Sequence, residues 1–179
     1  MLNIENYLVK WISFYSQYLK YFMNFSLYEL EIRGLLKKSF LYILTFLYIF
    51  IGTKHFTNLD FFLAIVPPYL PFHHFMVYST GVLEIVFGSM MVFNKTRFYG
   101  CWGIFFLLIA VFPANIYLYI SELPRTLLSV TKQDALIRLP YQLPLLLFAY
   151  WHSKEKTSKI LDFFSIIIFP PTIYYFLTL

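Results

Sequence analysis

Cysteine is nearly absent: Cys101 is the one thiol in 179 residues. That excludes an internal disulfide and any CxxC redox pair, so the chain cannot carry out thiol–disulfide exchange by itself. Quinone-coupled thiol oxidases of four-helix type are excluded with it. Charge is equally scarce, at 13% of residues, about half of what soluble domains carry, roughly 25%. There is no phosphate-binding glycine loop, nucleophile elbow or zinc signature. The first residues lack the basic head, short apolar core and small-residue cleavage site of a signal peptide, so no processing is expected. The net charge of +5 does not form a stripe. Its lysines and arginines sit at the ends of apolar segments, as topology signals do, which argues against nucleic-acid binding.

What is abundant is apolar and aromatic: 60% hydrophobic and 23% aromatic residues, with a mean hydropathy of +0.66. The pattern predicts an all-α, polytopic membrane protein, a four-helix transmembrane bundle with an amphipathic N-terminal helix and an apolar C-terminal tail. Residues 1–36 form the arm, with Leu8, Trp11, Ile12, Tyr15, Leu19 and Phe22 at three- and four-residue spacing. Such a helix is expected to lie in the membrane interface or on a partner protein. Residues 37–153 form the membrane domain, and 154–179 the tail.

Within the membrane domain the predicted spans are Ser39 to Lys54, His74 to Phe93, Phe98 to Tyr119 and Ala135 to Trp151. Between the first two, Asn58 is expected to cap a short helix through Val66 that Pro67 and Pro68 stop. Asn94 to Arg97 reads as a tight basic turn, and 121–134 as a polar loop. Pro113 should kink the third span and free a carbonyl; Pro144 should bend the fourth. Pro170 and Pro171 argue against a regular helix over Ile160–Leu179, which is expected either as a fifth span or as a re-entrant tail.

The span from His74 to Phe93 carries one ionisable group, Glu84, roughly midway, where a charge is expensive. Gly81 and Gly88, one turn to either side on the same face, should let a neighbouring helix approach closely. Asn115, Arg138 and Gln142 fall on other spans in the same half of the membrane, and His55 ends the first. These five side chains, Glu84, Arg138, Gln142, Asn115 and His55, are the candidate polar site. Glu84 is expected either neutral or paired with Arg138. The same network read structurally is interhelical glue, and Arg138 could instead pair with Asp134. His55, His73 and His74 do not have helix-ligand spacing, so no metal is assigned. Cys101 reads as a small core residue.

Several of these pieces, taken together, resemble the DoxX family of small bacterial membrane proteins. They are His55-Phe56-Thr57-Asn58 with Asp60-Phe61-Phe62, Val66-Pro67-Pro68-Tyr69-Leu70-Pro71, Gly81-Val82-Leu83-Glu84 with Gly88, Phe112-Pro113-Ala114-Asn115-Ile116-Tyr117, and Arg138-Leu139-Pro140 with Gln142. They occur in family order over about residues 40 to 152. The resemblance implies a four-helix membrane fold in the bacterial inner membrane. It also implies a non-catalytic subunit or assembly partner of a membrane complex, with quinone-linked redox machinery as a candidate host. The alternative expectation is a small-molecule site, for quinone or lipid, around Glu84. No resident cofactor is expected, and no enzymatic activity of the chain on its own. The expected partners are the lipid bilayer and other membrane or redox proteins. Orientation follows from Arg33, Lys37, Lys38, Lys95, Arg97, Lys154, Lys156 and Lys159 on one side, which predicts a cytoplasmic N-terminus. Trp11, Trp102 and Trp151 are expected at that same interface.

Overall fold

Backbone that enters hydrocarbon must bond to itself, and a run of about twenty apolar residues does so as a helix. The computed structural model describes backbone over residues 4–177 and side chains over 16–17 and 31–177. It contains seven helices and no strand among the described residues: α1 (Ile4–Thr57), α2 (Leu59–Ala64), α3 (His73–Val92), α4 (Arg97–Ile120), α5 (Glu122–Leu128), α6 (Lys132–Ser153) and α7 (Lys159–Leu177). The chain forms an all-α membrane bundle. Four segments are long and apolar enough to cross a bilayer: Glu31–Thr57, His73–Val92, Arg97–Ile120 and Lys159–Leu177.

Two compact units are present, Met1–Lys38 and Ser39–Leu179. In the first, the backbone is helical from Ile4. The side chains of the expected amphipathic stripe, Leu8 to Phe22, lie outside the described residues, as does Trp11.

In the second unit α4 is central, packing on α3 and on α6, and α6 packs on α7. Leu41, Leu44 and Tyr48 repeat at helical spacing and turn one face of α1 inward. They meet Met91, Cys101, Ile104, Phe148, Ala149 and Phe169 in one core. Cys101 is fully buried there. The stacked rings of Phe40 and Phe169, 4.1 Å apart, tie α7 to the start of this segment. Gly100 brings α4 against α3: a Cβ there would stand 2.6 Å from the Phe87 carbonyl.

Four expectations change. Residues 121–134 are not a loop throughout but hold α5. Thr131 and Asp134 then form a capping box at the start of α6, each side chain bonded to the other's backbone N–H. Asp134 is thereby engaged with Thr131 and does not pair with Arg138. Asn58 stands at the N-cap of α2 but makes no side-chain cap bond.

The largest change is α7. Pro170 and Pro171 lie inside a continuous 19-residue helix. Each removes one N–H from the helical ladder. Just beyond them, the Thr172 hydroxyl donates to the Ile168 carbonyl at 2.8 Å, reinforcing the turn. The fourth strongly apolar segment is therefore α7. Helix α6 has the length, 22 residues, but also carries Lys132, Asp134, Arg138 and Gln142.

The short connection between α3 and α4 is a tight basic turn, as its sequence predicts. Arg97 closes it: its Nε donates to the Met91 carbonyl (3.0 Å) and its Nη2 to Val92 (3.2 Å), satisfying the end of α3. Arg125 does the same for α4, donating to the Leu118 and Tyr119 carbonyls.

Candidate functional site

Small residues decide where α1 and α3 cross. A Cβ on Gly81 would stand 2.6 Å from His55 Cβ and 3.0 Å from the Gly52 carbonyl; one on Gly52 would stand 2.8 Å from the Gly81 carbonyl. Gly88, two turns on, faces Tyr48. Backbones that close allow short polar side chains to meet across the interface.

His55 and Glu84 are the pair that meets. His55 Nε2 lies 3.4 Å from Glu84 Oε2, and both side chains are largely buried. The other ring nitrogen, Nδ1, is 2.9 Å from the Val77 carbonyl and 3.2 Å from Thr80 Oγ1. The Thr80 hydroxyl already donates to the Met76 and Val77 carbonyls. Nδ1 therefore carries the hydrogen, and Nε2 presents its lone pair, or a second N–H, to the carboxyl group. Phe62 of α2 stacks on the imidazole, centroids 3.7 Å apart, and holds its plane. The Tyr48 hydroxyl is buried within electrostatic reach of Glu84 and Cys101. Among the described residues neither it nor Glu84 Oε2 has a hydrogen-bond partner.

Asn115 and Gln142 form a second group, on α4 and α6. Asn115 Nδ2 donates to Gln142 Oε1 at 2.6 Å, and Gln142 Nε2 donates to the Leu108 carbonyl. Pro113 accounts for the open backbone nearby: it supplies no N–H to the Ile109 carbonyl, in the turn where Gln142 docks. Gln142 also lines an apolar cleft of about 110 Å³ with Leu108, Ile109, Phe112, Leu139, Leu143 and Leu146.

Arg138 joins neither group. Its guanidinium lies 5.9 Å from the centre of the Phe61 ring, and it forms no ion pair with Glu84 or Asp134 among the described residues. The expected single site thus separates into His55–Glu84, Asn115–Gln142 and Arg138–Phe61. Among the described residues no three His, Cys, Asp or Glu side chains are grouped to hold a metal ion.

A further polar group lies between α6 and α7. Trp151 is fully buried, and its indole N–H donates to Asp162 Oδ1 at 2.8 Å. The Thr157 hydroxyl donates to the same oxygen. Trp151 is thus held inside the protein by an acid, and not on its lipid-facing surface. A lone acid in the apolar stretch Ile160–Leu179 was the available signal for this contact.

A family model described as a domain of unknown function, DUF8561, matches residues 44–153, more than half of the chain. The chain belongs to the DUF8561 family. No curated protein and no solved structure matches it. The DUF8561 region contains all three groups of the expected site and Trp151, whereas Asp162 and the rest of α7 lie beyond it.

Proposed function

We propose that this DUF8561 protein is a DoxX-like, non-catalytic subunit or assembly partner of a membrane complex, with quinone-linked redox machinery as the candidate host. The observation that carries the reading is the uncovered surface of its apolar segments. Only 22% to 28% of each apolar window is buried within the chain. Phe46, Phe106, Leu143 and Phe163 are among the large side chains left outward. Lipid can cover such faces, and so can the helices of a partner. His55 with Glu84 and Asn115 with Gln142, by contrast, are turned toward one another.

We place the N-terminus in the cytoplasm of a bacterial inner membrane, because eight lysines and arginines gather on one side when α1, α3, α4, α6 and α7 each cross. Lys54, Arg125, Lys132 and Arg138 fall on the other. With five crossings the end of α7 is external.

One observation favours a second reading, a small-molecule site for a lipid or quinone. The cleft beside Gln142 is apolar with one amide at its edge, the character of a ligand site, although smaller than the roughly 300 Å³ of typical pockets. Purification in a gentle detergent, with mass spectrometry of the intact assembly, separates the two. A stoichiometric membrane protein partner is expected. A stoichiometric lipid or quinone with no protein partner would favour the second reading, and the chain alone would contradict both.

A further inference from the structure

Arg138 is a permanent cation in a membrane bundle, and among the described residues no carboxylate forms an ion pair with it. A guanidinium has five N–H donors and no means of losing its proton at ordinary pH. Among the described residues its one close partner is the face of Phe61, 5.9 Å from the ring centre. The acids that could have paired with it are engaged elsewhere. Asp134, one turn earlier on the same helix, closes the capping box with Thr131. Glu84 faces His55. Gln142, one turn later, is spent on Asn115 and Leu108. Arg138 is only partly exposed, so water reaches it poorly, yet its donors are not sealed among those buried atoms that lack partners. Tyr175 of α7 lies within electrostatic reach.

A charge kept in such a place without a counter-ion is costly, and arginines within membrane segments mark sites where something pairs with them. The ring of Phe61 backs the guanidinium at 5.9 Å, and its N–H groups can donate to two oxygens of one anion. Lys132, six residues earlier at the start of α6 and 5.5 Å from the Tyr119 ring centre, adds a second positive charge at the same end of the helix.

We propose that Arg138, backed by Phe61, is a binding site for a phosphate-bearing anion, supplied by an anionic lipid headgroup or by free phosphate. The site is independent of the subunit reading and of the cleft beside Gln142.

The test uses the full-length protein in detergent micelles, with dioleoylphosphatidylglycerol as one probe and inorganic phosphate as the other. Native mass spectrometry counts bound lipid, and thermal unfolding reads stabilisation by phosphate. In Arg138→Gln, affinity for at least one probe should fall on the order of tenfold to a hundredfold, the worth of hydrogen bonds to a charged group. Lys95→Gln, a control that removes one exposed positive charge from the turn between α3 and α4, should change it far less. Loss of lipid binding alone assigns the headgroup; loss of phosphate stabilisation alone assigns the free anion. Should Arg138→Gln not purify, Arg138→Lys serves, since it keeps the charge but lacks the two-point fork and must still weaken binding. If the variant tested binds both probes as the wild type does, or the wild type binds neither, the proposal is overturned.

Discussion

His55 Nε2 stands 3.4 Å from Glu84 Oε2 across the contact of α1 with α3. The acid at mid-membrane is therefore answered by a histidine whose other nitrogen is tied to the Val77 carbonyl. At that distance the contact is electrostatic, since Glu84 Oε2 makes no hydrogen bond among the described residues. The arrangement depends on Gly52 and Gly81, because a side chain on either would push the helices apart. The sequence leaves Glu84 either neutral or paired with Arg138; the structure sets a residue from the first span beside it.

The glycine contact sets the first prediction. Gly81→Ala places a Cβ 2.6 Å from His55 Cβ and 3.0 Å from the Gly52 carbonyl. Overpacking of that kind costs about 1–3 kcal/mol. Gly34→Ala is the control, since nothing lies within 4 Å of its Cβ position. There the exposed helix should gain about 0.5–1 kcal/mol. Thermal unfolding in detergent should move in opposite directions for the two variants. A stabilised Gly81→Ala would mean that α1 and α3 do not approach as described.

A second prediction concerns Asn115 and Gln142. Gln142→Leu leaves the Asn115 amide and the Leu108 carbonyl without their partner. An unsatisfied buried polar group costs about 1–3 kcal/mol. Adding Asn115→Leu removes one of the orphans, so the double variant should be more stable than Gln142→Leu alone. If the second substitution only adds to the loss, the two amides are not coupled.

Much of this architecture was legible because lipid demands long apolar helices, and composition exposes those directly. The limits of α3 and α4 and the basic turn between them came from the same signal. So did the value of Gly81 and Gly88 as a contact face. What stayed hidden depended on which helix lies beside which. His55 and Arg138 sit at similar depth in the sequence pattern, and periodicity alone cannot choose between them as partners for Glu84. The tail is a regular helix, against the expectation from its prolines, for a local reason. Two adjacent prolines argue against a helix by propensity, but Thr172 bonds back to Ile168, and Phe169 and Ile173 are buried in the core. The Thr131–Asp134 capping box was readable from its spacing and went unread.

The helical tail yields a third prediction, on topology. A reporter fused after Leu179 should read as external. In a Cys101→Ala background, an impermeant thiol reagent added from outside should label a cysteine at Ser129 but not one at Thr96. A cytoplasmic reporter would mean that α7 does not cross, and external labelling at Thr96 would invert the whole orientation.

The central claim is that Glu84 is partnered by His55 and not by Arg138, and a pair of double-mutant cycles tests it most directly. Unfolding free energies are measured for Glu84→Ala, His55→Ala, Arg138→Ala and the two doubles that contain Glu84→Ala. Residues in contact couple by about 0.5–3 kcal/mol, whereas separated residues add within about 0.5 kcal/mol. The account predicts coupling for Glu84 with His55 and additivity for Glu84 with Arg138. Additivity with His55 together with coupling to Arg138 would contradict it.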